Sequence, residues 1–475
     1  MHRVGTTLAC TALLAGALAP VAQAGDVAAP TDYQRAYRIG LEAYTYGLPL
    51  LTTNATFRTM TSTNVSQGAF GPVNRFNNVR GANTASSTAV VAPGSTSLSS
   101  IAWLDLSDGP QVLHVPTVTD HDFVLALLDP YTTDLVNLGN AANTEPGDYV
   151  VCAPAQCTTA LPSGTHRIDV DYQRIWIIGS TQLKGPDDVA TVNAIQDQYT
   201  LTPLARFEHH EAAPTPAPVT PVPISQYSVP TGLAFFDQLG QLLEEFPPPA
   251  RDAAALADFA RVGIGPGRTP STDASLSAAT RRGLAAAVAA GPAKIQRDVT
   301  KVTAQGFDAH HGYLLGGFGT YGTDYVLRAV ISQVGLGAFT ADQAIYAMTW
   351  TDDHSAPLDG STAYVLHMAT PPPTREGWSL TVYNLQGQLM ANALDRYAFT
   401  SISPITRNAD GSIDLYLQAT PPDAAHLGNW LPVTAGEGFE VTWRLFAPDP
   451  GAIPGILDGS GWQPPPSRIP GIAPG

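Results

Sequence analysis

Three clusters combine residue types whose spacing could do chemistry. Asp352-Asp353-His354, with Asp359 close by, puts three carboxylates and an imidazole within eight residues. Such a set suits Ca²⁺ or an acid/base pair. The stretch is also rich in turn formers, and Asp359-Gly360 is an ordinary hairpin signal, so a turn is the favoured reading. Glu208-His-His-Glu211 is metal-like in composition. Adjacent side chains point to different faces, though, and no His-Glu-x-x-His spacing occurs, so it reads as solvated linker. His310-His311 precedes a Gly-rich run from Gly312 to Gly322. No strand signal precedes that run and no Gly-Lys-Ser/Thr follows it, which rules out a phosphate-binding loop.

Covalent chemistry finds little support. There is no Gly-x-Ser-x-Gly elbow. The lysines are only Lys184, Lys294 and Lys301. A glycosidase needs two placed carboxylates, and 40 acidic residues leave that reading open without singling out a pair. The stronger case is for binding. Tyr364, Trp378, Tyr383, Asn392, Arg396, Tyr397, Asn429, Trp430 and Arg444 offer aromatic faces with amide and guanidinium donors, as a sugar or a carboxylated small molecule would require. Trp103 and Asp105 join this set, as does Arg328, a lone cation in the apolar run Asp324-Tyr-Val-Leu-Arg-Ala that must find a partner. The same residues would look identical if they plugged a sandwich or paired with carbonyls.

The elements that must position these residues follow from composition and periodicity. The chain has 475 residues, of which 44% are hydrophobic and 13% charged, so a large core can form without dense salt-bridge networks. At about 150 residues per domain this is roughly three domains' worth of chain, or two large domains. Forty acids against 24 bases give a net charge of −16, which excludes the basic footprint of a nucleic-acid or anionic-membrane binder. With 43 Gly and 41 Pro, strands and loops are favoured over a helix bundle.

Residues 1–24 read as a secretory signal, with an apolar run from Leu8 to Ala19 and the A-x-A site Ala22-Gln23-Ala24. Secretion or release to the periplasm is therefore expected, and no later apolar run is long enough to enter a membrane. Of the three cysteines, Cys152 and Cys157 remain after cleavage and are expected to form a disulfide.

A helix is expected from 32, with Asp32 as its cap and Tyr33, Tyr37, Leu41 and Tyr44 at three- to four-residue steps. Residues 66–100 read as a long loop or extended edge. Short strands follow from Ile101 to Ile178, and a short helix over Asp187 to Tyr199. A Pro-rich connector covers 212–225, and an α-rich middle 226–350. Strands return after Gly360, with a hairpin signal at Asn408-Ala-Asp-Gly-Ser. The tail from Pro448 is Pro/Gly-rich.

Two groups of segments carry a family resemblance. Ala43-Tyr-Thr-Tyr-Gly-Leu-Pro-Leu, Trp103-Leu-Asp-Leu-Ser-Asp-Gly-Pro, Gly147-Asp-Tyr-Val-Val, Trp176-Ile-Ile-Gly and Gln198-Tyr-Thr-Leu-Thr-Pro-Leu resemble DUF1254. Gly377-Trp-Ser-Leu-Thr-Val-Tyr, Asn392-Ala-Leu-Asp-Arg-Tyr, Asp410-Gly-Ser, Asn429-Trp-Leu-Pro and Arg444-Leu-Phe-Ala-Pro resemble DUF1214. The resemblance implies an often exported protein of helices and β-sandwiches. One segment departs from it. The family pattern Pro-Asn-x-Asp-Thr-Leu-Tyr-Ser is here Pro93-Gly-Ser-Thr-Ser-Leu-Ser-Ser100, so Gly94, Thr96 and Ser99 replace an amide, a carboxylate and a phenol.

These readings converge on an α+β protein with two antiparallel, jelly-roll-like β-sandwich regions, an N-terminal helix and a helical middle segment. Residues 25–211 would form the first domain and 351–475 the second. The expected function is binding of a glycan or small polar molecule in a pocket between the two β domains. The alternatives are a hydrolase using an Asp/Glu pair, with Ca²⁺ as the one cofactor left open, and a structural cell-envelope or assembly protein. An oligomer remains open.

Overall fold

Thr31 starts the first helix, α1 (Asp32–Met60), in the computed structural model, which describes residues 30–87, 92–215, 229–303, 313–315 and 317–471. The signal segment, His310-His311 and residues 216–228 lie outside the described residues. The helix cap is Thr31, one residue before the expected Asp32. Thr31 and Gln34 form a reciprocal capping box, while Asp32 sits in the first turn, where a carboxylate favours the helix dipole.

Nine strands follow: β1 (Asn77–Asn78), β2 (Ser97–Asp105), β3 (Gln111–Val115), β4 (Phe123–Leu128), β5 (Asp134–Leu138), β6 (Gly147–Cys152), β7 (Thr165–Asp169), β8 (Arg174–Gln182) and β9 (Thr200–Pro203). Two short helices, α2 (Val189–Gln196) and α3 (Leu204–Phe207), flank β9. The strands build two sheets, in the orders β1-β2-β8-β4-β5 and β7-β6-β3-β9. Leu104, Leu125, Leu127 and Ile177 of one sheet meet Leu113, Val115, Val151 and Leu201 of the other in a single core.

The helices α4 (Ala234–Glu245), α5 (Ala253–Ala260) and α6 (Ala278–Thr303) pack with α1 around Tyr44, Tyr46, Phe235, Phe236 and Leu239. Phe236, Leu239, Leu242 and Leu243 recur at helical spacing and form the apolar stripe that α4 buries. The rest of the chain is β10 (Tyr313–Leu315), α7 (Tyr325–Val334), β11 (Ala344–Thr349), β12 (Tyr364–Met368), β13 (Trp378–Asn384), β14 (Ala398–Thr400), β15 (Ile413–Gln418), β16 (Trp430–Pro432), β17 (Phe439–Phe446), α8 (Ile453–Asp458) and β18 (Ser467–Arg468). Its sheets run β10-β11-β17-β13-β14 and β16-β15-β12-β18. Leu366, Leu380, Leu415, Val441 and Trp443 fill the space between them. The fold is thus α+β, with two sandwiches made mostly of antiparallel pairs. Parallel pairing occurs only at β6–β7 and β15–β16 among the described strands.

Two turn signals do different work from the expected hairpins. Asn408–Ser412 does turn, with Gly411 N–H donating to Asn408 O at 2.9 Å, but β14 and β15 on either side belong to different sheets. Gly360 lets Thr434 O approach closely: a Cβ there would collide with it. No described residue lies in a helix long and apolar enough to cross a membrane.

Cys152 and Cys157 are joined, at a sequence separation of five. So short a loop confers about 2 kcal/mol through unfolded-chain entropy. Cys152→Ser is therefore expected to lower stability by about that amount in urea titrations under non-reducing conditions. A loss near 5 kcal/mol would refute this local role.

Candidate functional site

Strand alternation decides what faces the seam between the two sandwiches. On β17, Phe439, Val441, Trp443 and Leu445 enter the core, which turns Glu440, Thr442, Arg444 and Phe446 to the opposite face. On β11, Tyr346 and Met348 share that outward face; on β13, Ser379, Thr381 and Tyr383 do. Across the seam, β2 offers Ser97 and Ser99, and β8 offers Ile178 and Ser180. The space between is a cavity of 290 Å³. Phe318, Leu336, Phe339, Met348 and Phe446 give it an apolar wall, and Thr96, Ser97, Ser99, Tyr346 and Thr442 contribute hydroxyl-bearing side chains.

Arg444 is the charged residue of this lining. Its Nη2 donates to Ala92 O at 3.1 Å and its Nη1 to Thr381 Oγ1 at 3.4 Å. The guanidinium also lies over the Tyr383 and Tyr346 rings, 5.5 and 5.9 Å from their centroids. Among the described residues no carboxylate pairs with it. Tyr383 anchors the facing segment by donating to Pro93 O at 2.9 Å, and Ala92 N–H donates to Gly387 O at 2.7 Å. Gly94, Thr96 and Ser99, where the sequence departs from the resembled pattern, all line the cavity.

The other candidates lie elsewhere. Trp103 stacks on Trp176 at 4.6 Å inside a core cluster, and the side chain of Asp105 accepts from Ser107 at the end of β2. Arg328, 1% exposed, donates to Tyr46 O and lies among the rings of Tyr46, Tyr131 and Tyr325. Tyr364 is buried, its hydroxyl accepting from Asp359 N–H. Trp378 packs on Trp443, with one edge at a groove described below. Asn392 ties its own loop through Met390 O and Arg396 O. Arg396 binds the carbonyls of Leu427 and Trp430, and Tyr397 donates to Asp395. Asn429 bridges Thr406 and Asp414, and Trp430 Nε1 donates to Gln418 O. Asn392, Arg396, Asn429 and Trp430 thus bind backbone groups inside the second sandwich.

Asp352, Asp353 and His354 do converge, their potential ligand atoms lying within 4.8 Å of one another. Asp352 Oδ1, however, accepts two backbone N–H groups, while Asp353 meets His354 Nδ1 at 2.8 Å and Arg468 Nε at 3.4 Å. Asp359 serves its own turn by accepting from Ser361 N–H. Glu208, His209, His210 and Glu211 are exposed.

Further along the seam, Asp122 and Glu376 line a common groove of 620 Å³. Burial, then the charge of Asp122, push the Glu376 carboxyl up to about 7, against the pull of Arg375. Asp122 is also raised, by burial, with Lys184 and His121 opposing. Sequence reasoning missed this pair. The two acids are more than 250 positions apart, and only the Asp120-His-Asp122 triplet marks either of them locally.

Comparison with known proteins places this architecture. Residues 73–203 match the family described as "Protein of unknown function (DUF1254)", and residues 343–450 match "Protein of unknown function (DUF1214)". The structure is similar to the crystal structure of the VPA0106 protein from Vibrio parahaemolyticus, with a TM-score of 0.67 at 18% identity, over 91% of this chain and 99% of that one. An uncharacterized protein from Burkholderia cenocepacia gives 0.41 at 12% identity, over 92% and 93%. No curated protein matches the chain.

Proposed function

The chain belongs to the two-domain family that joins a DUF1254 to a DUF1214 unit, and from that premise we propose that it binds a small carboxylate with an apolar body in the interdomain cavity. One observation carries the reading. Arg444 presents a guanidinium to a 290 Å³ space whose described lining contains no acid. A buried cation held among aromatic rings, with no directly paired carboxylate and only Glu440 nearby to offset it, gains from a ligand that supplies a closer counter-charge. The resembled pattern has a carboxylate where this chain has Thr96, so the cavity wall facing Arg444 carries a hydroxyl in place of an acid. The cavity lies at the small end of the range for ligand pockets, and its phenylalanines and Met348 suit a short aliphatic or aromatic body.

A glycan would instead want exposed aromatic platforms, and Trp103, Trp378 and Trp430 are buried. The described lining of this cavity offers no carboxylate to an Asp/Glu hydrolase; the Asp122 and Glu376 pair lines the other groove. The disulfide is compatible with work in the periplasm or outside the cell.

Calorimetry on the purified chain with a panel of short aliphatic and aromatic carboxylates, each paired with its uncharged amide, tests this. At 100 times its dissociation constant a true ligand should add about 2.7 kcal/mol of stability. Charge-assisted hydrogen bonds are worth about 1.5–3 kcal/mol, so Arg444→Gln should weaken carboxylate binding roughly 10- to 100-fold. Thr96→Asp, which supplies an internal counter-charge, should do the same. If every carboxylate binds no better than its amide, or Arg444→Gln changes nothing, the proposal fails.

A further inference from the structure

The acids at the other end of the seam support a site of a different kind. Asp122 enters from the loop before β4 and Glu376 from the segment before β13, so each sandwich contributes one carboxylate. Neither side chain makes a hydrogen bond or ion pair to a described residue. Both also line a gap of only 20 Å³, together with Gln343 just ahead of β11. Gln343 is 8% exposed; its Nε2 donates to Asp342 Oδ2 at 2.8 Å, while its Oε1 is buried without a partner.

Two unpaired carboxylates and an orphaned amide oxygen therefore surround room for about one water or one ion. A water could satisfy acceptors but would leave the two carboxylates, only partly offset by Arg375, Lys184 and His121, facing each other in a half-buried seam. A hard divalent cation satisfies both demands, because Ca²⁺ takes carboxylate and amide oxygens in flexible geometry and completes its six to eight ligands with water. The adjoining 620 Å³ groove can supply that water. Mg²⁺ demands a stricter octahedron and sheds its water reluctantly, which suits three protein oxygens less well. The Asp352–His354 cluster competes poorly, since its acids are already engaged. We propose that Asp122, Glu376 and Gln343 form a Ca²⁺ site that ties the two sandwiches together.

The test is a CaCl₂ titration of the full chain after EDTA treatment, read by calorimetry and by melting temperature. One Ca²⁺ per chain is expected, with a rise in melting temperature, and millimolar Mg²⁺ should not replace it. Asp122→Asn and Glu376→Gln should each weaken Ca²⁺ binding at least tenfold. Both remove like-charge repulsion, so the metal-free fold should survive them. As a second readout on the unaltered chain, Tb³⁺ should show emission sensitised by Trp378, which edges the groove, and Ca²⁺ should quench it by displacement. The proposal is overturned if millimolar Ca²⁺ gives neither heat nor a melting shift. It is equally overturned if both amide variants bind as the parent does, or if Asp353→Asn is the change that abolishes binding.

Discussion

Trp103→Ala is expected to cost about 3–5 kcal/mol of stability while leaving carboxylate affinity per folded molecule unchanged. Trp103 is 2% exposed on β2 and sits directly opposite Trp176 of β8 in the strand register. The two indoles stack with an interplanar angle of 9°, and Phe57 of α1 meets Trp103 edge-on at 5.3 Å. Truncation removes a large plug between the first sandwich and α1, and rigid neighbours on a sheet cannot collapse into the space. Aromatic pairing adds about 0.5–1.5 kcal/mol beyond the area buried. Guanidinium titration followed by calorimetry at a concentration where the variant is folded separates the two roles. Near-native stability with lost affinity would make Trp103 a ligand contact and overturn its placement in the core.

The second large effect is electrostatic. Glu440 is 6% exposed, and burial, only partly offset by Arg444, pushes its carboxyl from 4.5 up to about 7. The folded chain thus keeps a proton that the unfolded chain releases between those values. Stability contributed by this group falls as pH rises from about 4.5 to about 7, then stays flat. A shift of that size corresponds to about 3 kcal/mol. Glu440→Gln removes the titration, so its stability relative to the parent should rise by about 3 kcal/mol between pH 4 and pH 8. Urea titrations in EDTA across that range measure the difference, in which the other raised acids, Asp129 and Asp134, cancel. A difference independent of pH would show that Glu440 titrates alike in the folded and unfolded chain.

Periodicity and turn chemistry made much of the architecture legible. The aromatic steps from Tyr33 to Tyr44 marked α1, and the stripe on α4 marked its buried face, because a helix or strand records its environment at spacings of two to four residues. The site was legible only in pieces. Arg444 was one of a set of candidate donors, and the change at Thr96 was visible in a separate segment, but nothing local says that they face one cavity. That depends on which face of β17 turns inward and on a segment 350 residues away. Residue type alone also could not separate Trp103 or Trp430 from a ligand platform, since a buried indole and an exposed one are spelled alike. Asn392, Arg396 and Asn429 misled for a related reason: donors that tie down loop carbonyls have the same chemistry as donors that hold a ligand. Asp122, Glu376 and Gln343 left no usable signal, because their juxtaposition arises wholly from the docking of two separate sheets.

The clasp formed by Ala92, Pro93, Tyr383, Gly387 and Arg444 also bears on inheritance. The recess has one wall from each half of the chain, so neither half alone encloses it. A gene broken between them would yield two products, each carrying an open, incomplete surface. Selection for whatever the recess holds would therefore act on the pair as a single heritable unit, and compensating changes should appear in one half in answer to the other.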